Sequence, residues 1–286
     1  MRVPTVRAGA LRGEAYGVAF EVRMDDRRLL PAVRACLPPG WHASRRDPAV
    51  VLSVAHETRR TGVAVEVEGH LAARGLSHAQ ALDVLESELQ LSVARLAQPQ
   101  VFVHAGVVAV EGRAILVPGR SGAGKTTLVR ALVEAGATYY SDEYAVLDRD
   151  GWVHPYPRRL SIRVRSGGKE RHPVPRNRGR RPVPVGLVVE TRYQPRARWK
   201  PVSLTPGEIA FALLANTVPA RERPAEVLAV LARTAGRARG VRSDRGAAAR
   251  TARLLIALAR KLHAGAPGTR PVRRRARRSS GRRRRS

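Results

Sequence analysis

The sequence is poor in cysteine and in long apolar runs. Cys36 is the one cysteine among 286 residues, which excludes an intramolecular disulfide and a zinc site built from four cysteines. No segment approaches the roughly 18 apolar residues of a membrane-spanning helix, and the N-terminal residues lack the apolar run of a signal peptide. We therefore expect a cytoplasmic protein with a buried Cys36 and no membrane partner.

Lysine and aromatic residues are also scarce. Only four of the 53 basic residues are lysines, and the formal net charge is +30. Ten arginines lie in residues 270–286, and the others are spread over many segments instead of lining one helix face. Scattered charge of this kind is typical of compositional bias and solubility, so we expect no specific nucleic acid partner. With aromatics at 4%, the core is expected to consist mainly of Val, Leu, Ile and Ala.

Residues 1–98 are predicted to form a small α+β domain. Apolar alternation indicates strands, and apolar residues at helical spacing after Ser77, a predicted N-cap, indicate a long amphipathic helix. Nothing in this part indicates chemistry, so its role stays open between recognising a substrate and shielding a sheet edge. The predicted strands are 15–24, 50–54 and 63–67, and the predicted helices are 28–37 and 78–97.

A glycine-rich motif follows two apolar strands that are joined by a turn at Glu111 and Gly112. The pattern G-x-x-x-x-G-K-[ST] lies between the second strand and a predicted helix over 125–134, which is the context that a phosphate-binding loop needs. Its glycines let the backbone N–H groups turn toward phosphate oxygens, and the helix N-terminus adds partial positive charge. A chance glycine turn is the alternative. The predicted nucleotide-binding residues are Gly119, Arg120, Ser121, Gly122, Ala123, Gly124, Lys125, Thr126 and Thr127.

Acidic residues follow this helix on the next predicted strand. Phosphoryl transfer needs a carboxylate near the γ-phosphate, either to take a proton or to hold Mg²⁺, and Asp142 and Glu143 are the candidates. In a parallel sheet their strand can run beside the phosphate-loop strand, although both side chains reach one site only if the strand ends there. A solvated strand end is the alternative. His104, in the first apolar strand, is a further candidate, although a core or edge role fits it equally well.

The remainder of the chain is predicted to be largely helical. Residues 163–181 are basic and rich in Pro and Gly, which indicates a loop, and residues 184–191 restore a strand. Residues 265–286 are arginine-rich and poor in apolar residues, as in disordered tails. The predicted helices are 206–215, 224–238 and 247–263.

Residues 104–148 resemble the catalytic core of the HPr kinase/phosphorylase family and of its HPr-kinase-related relatives. In that family a histidine opens the strand pair, a G-x-S-G-x-G-K-[ST] loop follows, and a helix leads to two adjacent acids. His104, the loop from Gly119, and the Asp142-Glu143 pair match this order. The resemblance implies an α/β fold whose P-loop kinase core, similar to HPr kinase and PEP carboxykinase, spans residues 99–264 after the small α+β domain.

The resemblance also implies a reaction, namely ATP- and Mg²⁺-dependent phosphorylation of a serine in a protein or peptide. Asp142 would act as the base, Glu143 and Thr126 would lie on the metal side, and His104 would be a site residue close to Asp142. The chain departs from the bifunctional enzymes, because Glu143 replaces an Asp and Thr126-Thr127 replaces Ser-Glu. No signature for phosphorolysis is recognisable, so we expect a kinase that does not act on HPr.

Two other functions are compatible with the sequence. The departures from the family pattern also suit a non-catalytic nucleotide-binding switch or scaffold, whose C-terminal helices sense the bound nucleotide. The net charge alone suggests a nucleic-acid-associated protein that binds a nucleoside triphosphate. Formation of a homo-oligomer stays open.

Overall fold

A computed structural model describes residues 8–57, 61–119, 124–163 and 169–264, which form an α/β structure with mixed sheets. The strands are β1 (Gly9–Ala15), β2 (Val18–Met24), β3 (His42–Ala43), β4 (Val50–His56), β5 (Val63–Val67), β6 (His70–Leu76), β7 (Val101–Val110), β8 (Arg113–Pro118), β9 (Thr138–Ser141), β10 (Tyr144–Leu147), β11 (Trp152–His154), β12 (Leu160–Arg163), β13 (Lys169–His172), β14 (Val183–Tyr193), β15 (Val202–Leu204) and β16 (Arg239–Arg245). The α-helices are α1 (Leu30–Ala35), α2 (His78–Leu96), α3 (Lys125–Glu134), α4 (Pro206–Leu214), α5 (Pro224–Arg237) and α6 (Ala248–Ala264).

The first sheet has the strand order β3-β1-β2-β4-β5-β6, with β2 and β4 parallel and the other pairs antiparallel. Helix α2 packs across β4, β5 and β6. It begins with the predicted cap, since the Ser77 hydroxyl accepts from the Gln80 N–H and the Gln80 side chain accepts from the Ser77 N–H. Its buried apolar residues recur every four positions from Ala81 to Val93, with Ala94 next to the last of them, and they pack in the core of the sheet. They are Ala81, Leu85, Leu89, Val93 and Ala94.

The predicted strand over 15–24 is in fact interrupted. Tyr16 and Gly17 adopt positive φ angles of 52° and 79° and form a two-residue turn between β1 and β2. This backbone twist matches the twist of the two paired strands, and glycine adopts it without strain. The prediction was wrong at its first residues because a Tyr-Gly turn interrupts the apolar alternation without any proline, asparagine or aspartate.

The second sheet has the order β11-β10-β7-β8-β14-β16-β15, and β9 also pairs with β7. Strands β8, β14 and β16 are parallel to one another, whereas β7 is antiparallel to β8, β9 and β10. Helices α3 and α6 cover one face of this sheet. Helices α4 and α5 cover the other face.

Strand β7 is buried on both faces. Its odd-numbered residues, such as Val103 and Val107, pack in the core with α4 and α5. Of its even-numbered residues, Phe102 belongs to the core of the first sheet and α2, whereas Val108 and Val110 pack with α3 and α6. One strand therefore takes part in all three apolar cores.

Some strands in the C-terminal half were not predicted from the sequence. Residues 239–245, in the region predicted to be helical, form β16, whose buried positions include Gly240, Ser243 and Arg245 and therefore give no apolar alternation. Residues 164–168 of the predicted loop over 163–181 lie outside the described residues, and residues 169–172 form β13, which pairs with β12. The loop prediction was wrong for these residues, because their polar side chains hide the strand pattern.

The structure describes most of the first two predicted domains but not the third. The tail over 265–286 lies outside the described residues, and the boundary near residue 98 stays a prediction. Helix α2 and β7 meet close to this boundary, where Phe102, Tyr144 and Tyr156 join the core of the first sheet. Cys36 is buried, as expected. In the part of the chain that the structure describes, no helix is long and apolar enough to cross a membrane.

Gly106 allows α3 to approach β7 closely. A Cβ atom at Gly106 would lie 2.5 Å from Cγ2 of Val129, whose β-branched side chain has little freedom to move. We predict that Gly106→Ala lowers the free energy of unfolding by about 1–3 kcal/mol, the usual cost of overpacking. Urea denaturation measures this change.

The matched control is Gly236→Ala in α5, because a Cβ at Gly236 would have no neighbour within 4 Å. Alanine is favoured over glycine inside a helix by roughly 0.5–1 kcal/mol, so this variant should be as stable as the wild type or more stable. Equal stability of the two variants would contradict the close approach of α3 to β7.

Candidate active site

The end of β8 and the start of α3 bring the two motif glycines and Lys125 together. Lys125 Nζ donates to the Gly119 carbonyl oxygen at 2.6 Å, so the side chain reaches from the start of α3 to the residue that follows β8. Gly124 has a φ of 78°, a left-handed conformation that favours glycine, and α3 begins at the next residue. The predicted loop residues Arg120, Ser121, Gly122 and Ala123 lie outside the described residues.

Arg245 contacts the backbone of Gly124, although no feature of the sequence distinguished it from the many other arginines. It is 2% exposed, and Nη2 donates to the Gly124 carbonyl oxygen at 2.8 Å. The guanidinium carbon lies 5.6 Å from the ring centre of Tyr193, and Nε has no hydrogen-bond partner in the described ranges. Burial lowers the pKa of Arg245, and Tyr193 opposes this shift. A buried cation is therefore in direct contact with the backbone of the glycine-rich segment.

The two adjacent acids lie at a break between β9 and β10. Both strands pair with β7, and the Ser141 hydroxyl accepts the N–H groups of Glu143 and Tyr144, which closes a tight turn. Because the strand ends at this break, two adjacent side chains can face one site. The strand order differs from the expected one, however, because β7 lies between β8 and the two strands, β9 and β10, that flank the acids.

Asp142 is buried and lies beside a phenol. The hydroxyl of Tyr139 is 3.1 Å from Asp142 Oδ1 and 2.9 Å from the Arg158 carbonyl oxygen, so it donates to one of these two acceptors. Burial raises the pKa of Tyr139, and the charge on Asp142 raises it further. Tyr139 therefore keeps its proton, and its hydroxyl lies within hydrogen-bond distance of both Asp142 and the Arg158 carbonyl.

Glu143 is more exposed than Asp142 and lies between two basic groups. Its carboxylate oxygens are 3.7 Å from His104 Nδ1 and 3.7 Å from Arg158 Nη1. Arg158 is held in turn by Glu86 of α2 at 2.7 Å. Although burial alone would lower the pKa of Arg158, the charges of Glu86, Tyr156 and Glu143 raise it, so the guanidinium stays charged.

His104 is fixed by its backbone and by ring packing. Its N–H donates to the Asn216 carbonyl at 2.7 Å, and its carbonyl accepts from the Gly119 N–H at 3.2 Å. The ring packs on Tyr144, with the ring centres 4.6 Å apart. Burial lowers the pKa of His104, Glu143 raises it, and Lys125 lowers it, with a net decrease. The ring is therefore mainly neutral near pH 7.

Lys125 completes the cluster. Burial lowers its pKa, whereas the charges of Glu143 and Asp142 raise it. Lys125 is therefore within electrostatic range of Asp142, Glu143 and His104. Thus the site residues that the sequence proposed within the described ranges lie in one region, and Tyr139, Arg158 and Arg245 are additions that the sequence did not indicate.

Thr126 and Glu143 are the two oxygen ligands that the sequence proposed for magnesium. Thr126 is half-buried in the first turn of α3, and the Glu143 side chain is 41% exposed. Among the described residues, no group of three or more His, Cys, Asp or Glu side chains is arranged to hold a metal ion. Magnesium commonly binds through one or two carboxylates together with water and substrate phosphates, so this donor set suits it.

Comparisons with known proteins give no family assignment. The sequence matches no protein-family model, and no curated protein is significantly similar to it. The case for a function therefore depends on the geometry and the charges of the site.

We predict that the pKa of His104 lies below 6.5 in the folded protein, because burial disfavours the charged ring. Glu143→Gln should lower this pKa further, since the substitution removes the anion that stabilises imidazolium. The pH dependence of the His104 ring-proton chemical shifts measures both values.

The sign of the stability effect follows from linkage. The unfolded chain binds a proton at His104 more readily than the folded protein, so its contribution to stability decreases as the pH falls below 6.5. Glu222→Gln is the control, because Glu222 pairs with Arg95 and has no contact with His104. A His104 pKa that is unchanged or raised in Glu143→Gln would contradict the assigned coupling.

Proposed function

We propose that this protein is an ATP-dependent kinase that phosphorylates a hydroxyl group, with a P-loop kinase core of the HPr-kinase-related type. The observation that carries the proposal is the convergence of Lys125, Asp142, Glu143 and His104 at the end of β8 and the start of α3. A cation at a helix N-terminus suits the phosphates of a nucleotide. The neighbouring carboxylates suit proton abstraction and metal binding, which phosphoryl transfer requires.

The loop would bind the phosphates in three ways. The N-terminus of α3 presents backbone N–H groups and the positive end of its dipole. Lys125 would exchange its contact with the Gly119 carbonyl for the β- and γ-phosphates. Arg245 would fix the orientation of the Gly124 carbonyl, because it donates a hydrogen bond to that oxygen.

The two acids would have different roles because their surroundings differ. Asp142 is buried, lies beside the Tyr139 hydroxyl and is the first of the two acids, so it is the proposed base. It would accept the proton of the acceptor hydroxyl while that oxygen bonds to the γ-phosphorus, and the bond from this phosphorus to the β–γ bridging oxygen breaks and releases ADP. Glu143 and Thr126 would hold Mg²⁺, which supplies charge neutralisation on the phosphate oxygens.

A nucleotide-binding switch is the second candidate function. The observation that favours it is the bond from Arg245 to Gly124, because Arg245 ends β16 and α6 begins three residues later. A change at the loop would therefore act on the base of α6. Normal ATP affinity without any phosphate transfer or hydrolysis would favour this function over a kinase.

We predict that Lys125→Ala abolishes both ATP binding and transfer of label from γ-labelled ATP. Asp142→Asn should leave ATP affinity within a few fold of the wild type and lower the transfer rate by about 10² to 10⁴, the usual contribution of a general base. Fluorescence titration with an ATP analogue measures the first property, and label transfer to acceptor compounds or cell extract measures the second.

The controls are Lys261→Ala in α6 and Asp150→Asn in the turn before β11, two changes of the same type that lie outside the cluster. Both variants should match the wild type. Full transfer activity of Asp142→Asn would show that Asp142 is not the base, and normal ATP binding by Lys125→Ala would remove the basis of the proposal.

We predict that Arg245→Met weakens ATP binding about tenfold, as expected for the loss of one hydrogen bond from a charged donor. The apolar replacement preserves much of the buried volume, so the fold should persist. Isothermal titration calorimetry measures the affinity. Arg253→Met, at an exposed position of α6, is the matched control, and equal affinity of the two variants would exclude a role of Arg245 in the loop.

A further inference from the structure

A cavity of about 660 Å³ lies at the end of the second sheet that is away from the candidate active site. Another cavity, of about 410 Å³, adjoins the active site between α2 and Glu143, and side chains of both charges line it, such as Glu86 and Arg158. The larger cavity differs, because every charged side chain among the described residues that line it is basic. Its volume is typical of small-ligand pockets, which span about 300–1,000 Å³. The basic residues are Arg113, Arg237, Arg239, Lys261 and His263.

The direction of the strands separates this cavity from the glycine-rich segment. Strands β8, β14 and β16 are parallel, and Arg113 and Arg239, which begin β8 and β16, both line the cavity. Gly119 follows the other end of β8, and Arg245 is the last residue of β16. The first turn of α4 and the last turns of α5 and α6 complete the cavity. It therefore lies at the opposite end of the sheet from the proposed nucleotide site.

Three of the five basic side chains have no partner in the part of the chain that the structure describes. Those of Arg113, Arg239 and Lys261 form no hydrogen bond or ion pair with the described residues. Arg237 differs, because its Nη1 donates to the Asp150 carbonyl oxygen at 3.0 Å. Cations that share a cavity repel one another, and an anion bound between them would be stabilised by each of them.

His263 is the mostly buried member of this group, with a side chain that is 13% exposed. Its Nδ1 lies 3.8 Å from Glu111 and has no hydrogen-bond partner in the described ranges. Glu111 also pairs with Arg260 at 3.4 Å and does not line the cavity. Burial lowers the pKa of His263, Arg113 lowers it further, and Glu111 raises it, with a net decrease. The ring is therefore mainly neutral near pH 7 and responds to the charges around it.

Gly186 of β14 leaves space for this arrangement. A Cβ atom there would lie 3.0 Å from Nε2 of His263 and 3.0 Å from Cβ of Arg113, so a larger residue would crowd both side chains. Beside the basic groups, β15, α4 and α6 contribute an apolar surface to the cavity. A ligand that fits both parts has an anionic group and an apolar body. The apolar residues are Leu204, Ile209, Leu258 and Leu262.

We propose that this cavity binds a small organic anion with an apolar body, whose phosphate or carboxylate group lies among Arg113, Arg239 and Lys261. The lining selects the sign of the charge, because the described residues around the space include basic groups and no acid. The apolar surface selects against inorganic ions, which would lose hydration there and bury no apolar area in return. This site does not depend on the proposed kinase function.

Octyl phosphate and octanoate represent the two head groups that share this chemistry. Inorganic phosphate lacks the alkyl chain, and 1-octanol lacks the charge. Isothermal titration calorimetry at constant ionic strength measures the binding of each compound to the full chain. The His263 ring-proton chemical shifts locate the bound compound, because an anion in the cavity would raise the pKa of His263. The variant His263→Gln identifies this resonance.

Arg239→Met is the main variant, because methionine keeps an apolar stem and removes the charge. Gly236→Phe is the second, since Gly236 lines the cavity and a Cβ there would have no neighbour within 4 Å, so the ring would take up part of the cavity without a backbone clash. Thermal unfolding checks that both variants fold. Arg253→Met, at an exposed position of α6 outside the cavity, is the matched control. Lys125→Ala tests for binding at the glycine-rich segment instead.

We expect the wild type, Arg253→Met and Lys125→Ala to bind octyl phosphate or octanoate at least about tenfold more tightly than inorganic phosphate or 1-octanol. Burial of two methylene groups or pairing of one charge corresponds to a factor of this size. Arg239→Met should weaken binding about tenfold, and Gly236→Phe should abolish it. The pKa of His263 should rise when the compound saturates the wild type. The head group that binds more tightly identifies the class of ligand.

Several outcomes would overturn the proposal. Equal affinity of Arg239→Met and the wild type would exclude the cavity, and equal weakening by Arg253→Met and Arg239→Met would assign binding to scattered surface charge. Equally tight binding of 1-octanol would contradict an anion site, and equally tight binding of inorganic phosphate would contradict the apolar part. A compound that binds the wild type but not Lys125→Ala occupies the glycine-rich segment. Failure of ATP binding by the wild type would contradict the kinase function and leave this site unaffected.

Discussion

The two-sided burial of β7 is the constraint on which the rest of the structure depends. The strand pairs with β8 along one edge and with β9 and β10 along the other, and its two faces contribute to three apolar cores. A strand packed in this way cannot shift by one residue without exchanging its two faces. The register fixes His104 opposite Tyr144 and ties its carbonyl to Gly119. The positions of the acids and of the loop thus follow from packing that is largely apolar.

The charged groups around β7 differ in how far their side chains are exposed to solvent. Asp142 is buried beside Tyr139, Glu143 is half-exposed between His104 and Arg158, and Arg245 is buried under Gly124. Burial of charge is costly unless hydrogen bonds or opposite charges compensate for it, so such groups are concentrated where their charge has a use. Because the two acids differ in exposure, the proposed reaction assigns proton transfer to the buried Asp142 and metal binding to the more exposed Glu143.

Strong apolar periodicity explains which elements the sequence predicted. Helix α2, the β7–β8 hairpin and α3 were confirmed close to their predicted bounds, because each combines a regular apolar pattern with a recognisable cap, turn or glycine end. Strand β16 and the β12–β13 hairpin were missed. Strands β13 and β16 consist mainly of polar and arginine residues, and the four residues of β12 offer only Leu160 and Ile162 as an apolar pattern. Such strands form because neighbouring strands complete their hydrogen bonds, not because of an intrinsic preference.

The sequence by itself was enough to identify the candidate site residues that belong to a motif with fixed spacing. These are Gly119, Gly124 and Lys125 at the loop, His104 before it, and the Asp142-Glu143 pair after it. Only the tertiary structure decided that Arg245 supports the loop, that Arg158 joins Glu86 to Glu143, and that α2 forms one wall of a cavity beside them. Local motifs are written in consecutive residues, whereas these contacts join residues that are 15 to 121 positions apart. Their positions depend on strand order and packing, which no local pattern specifies.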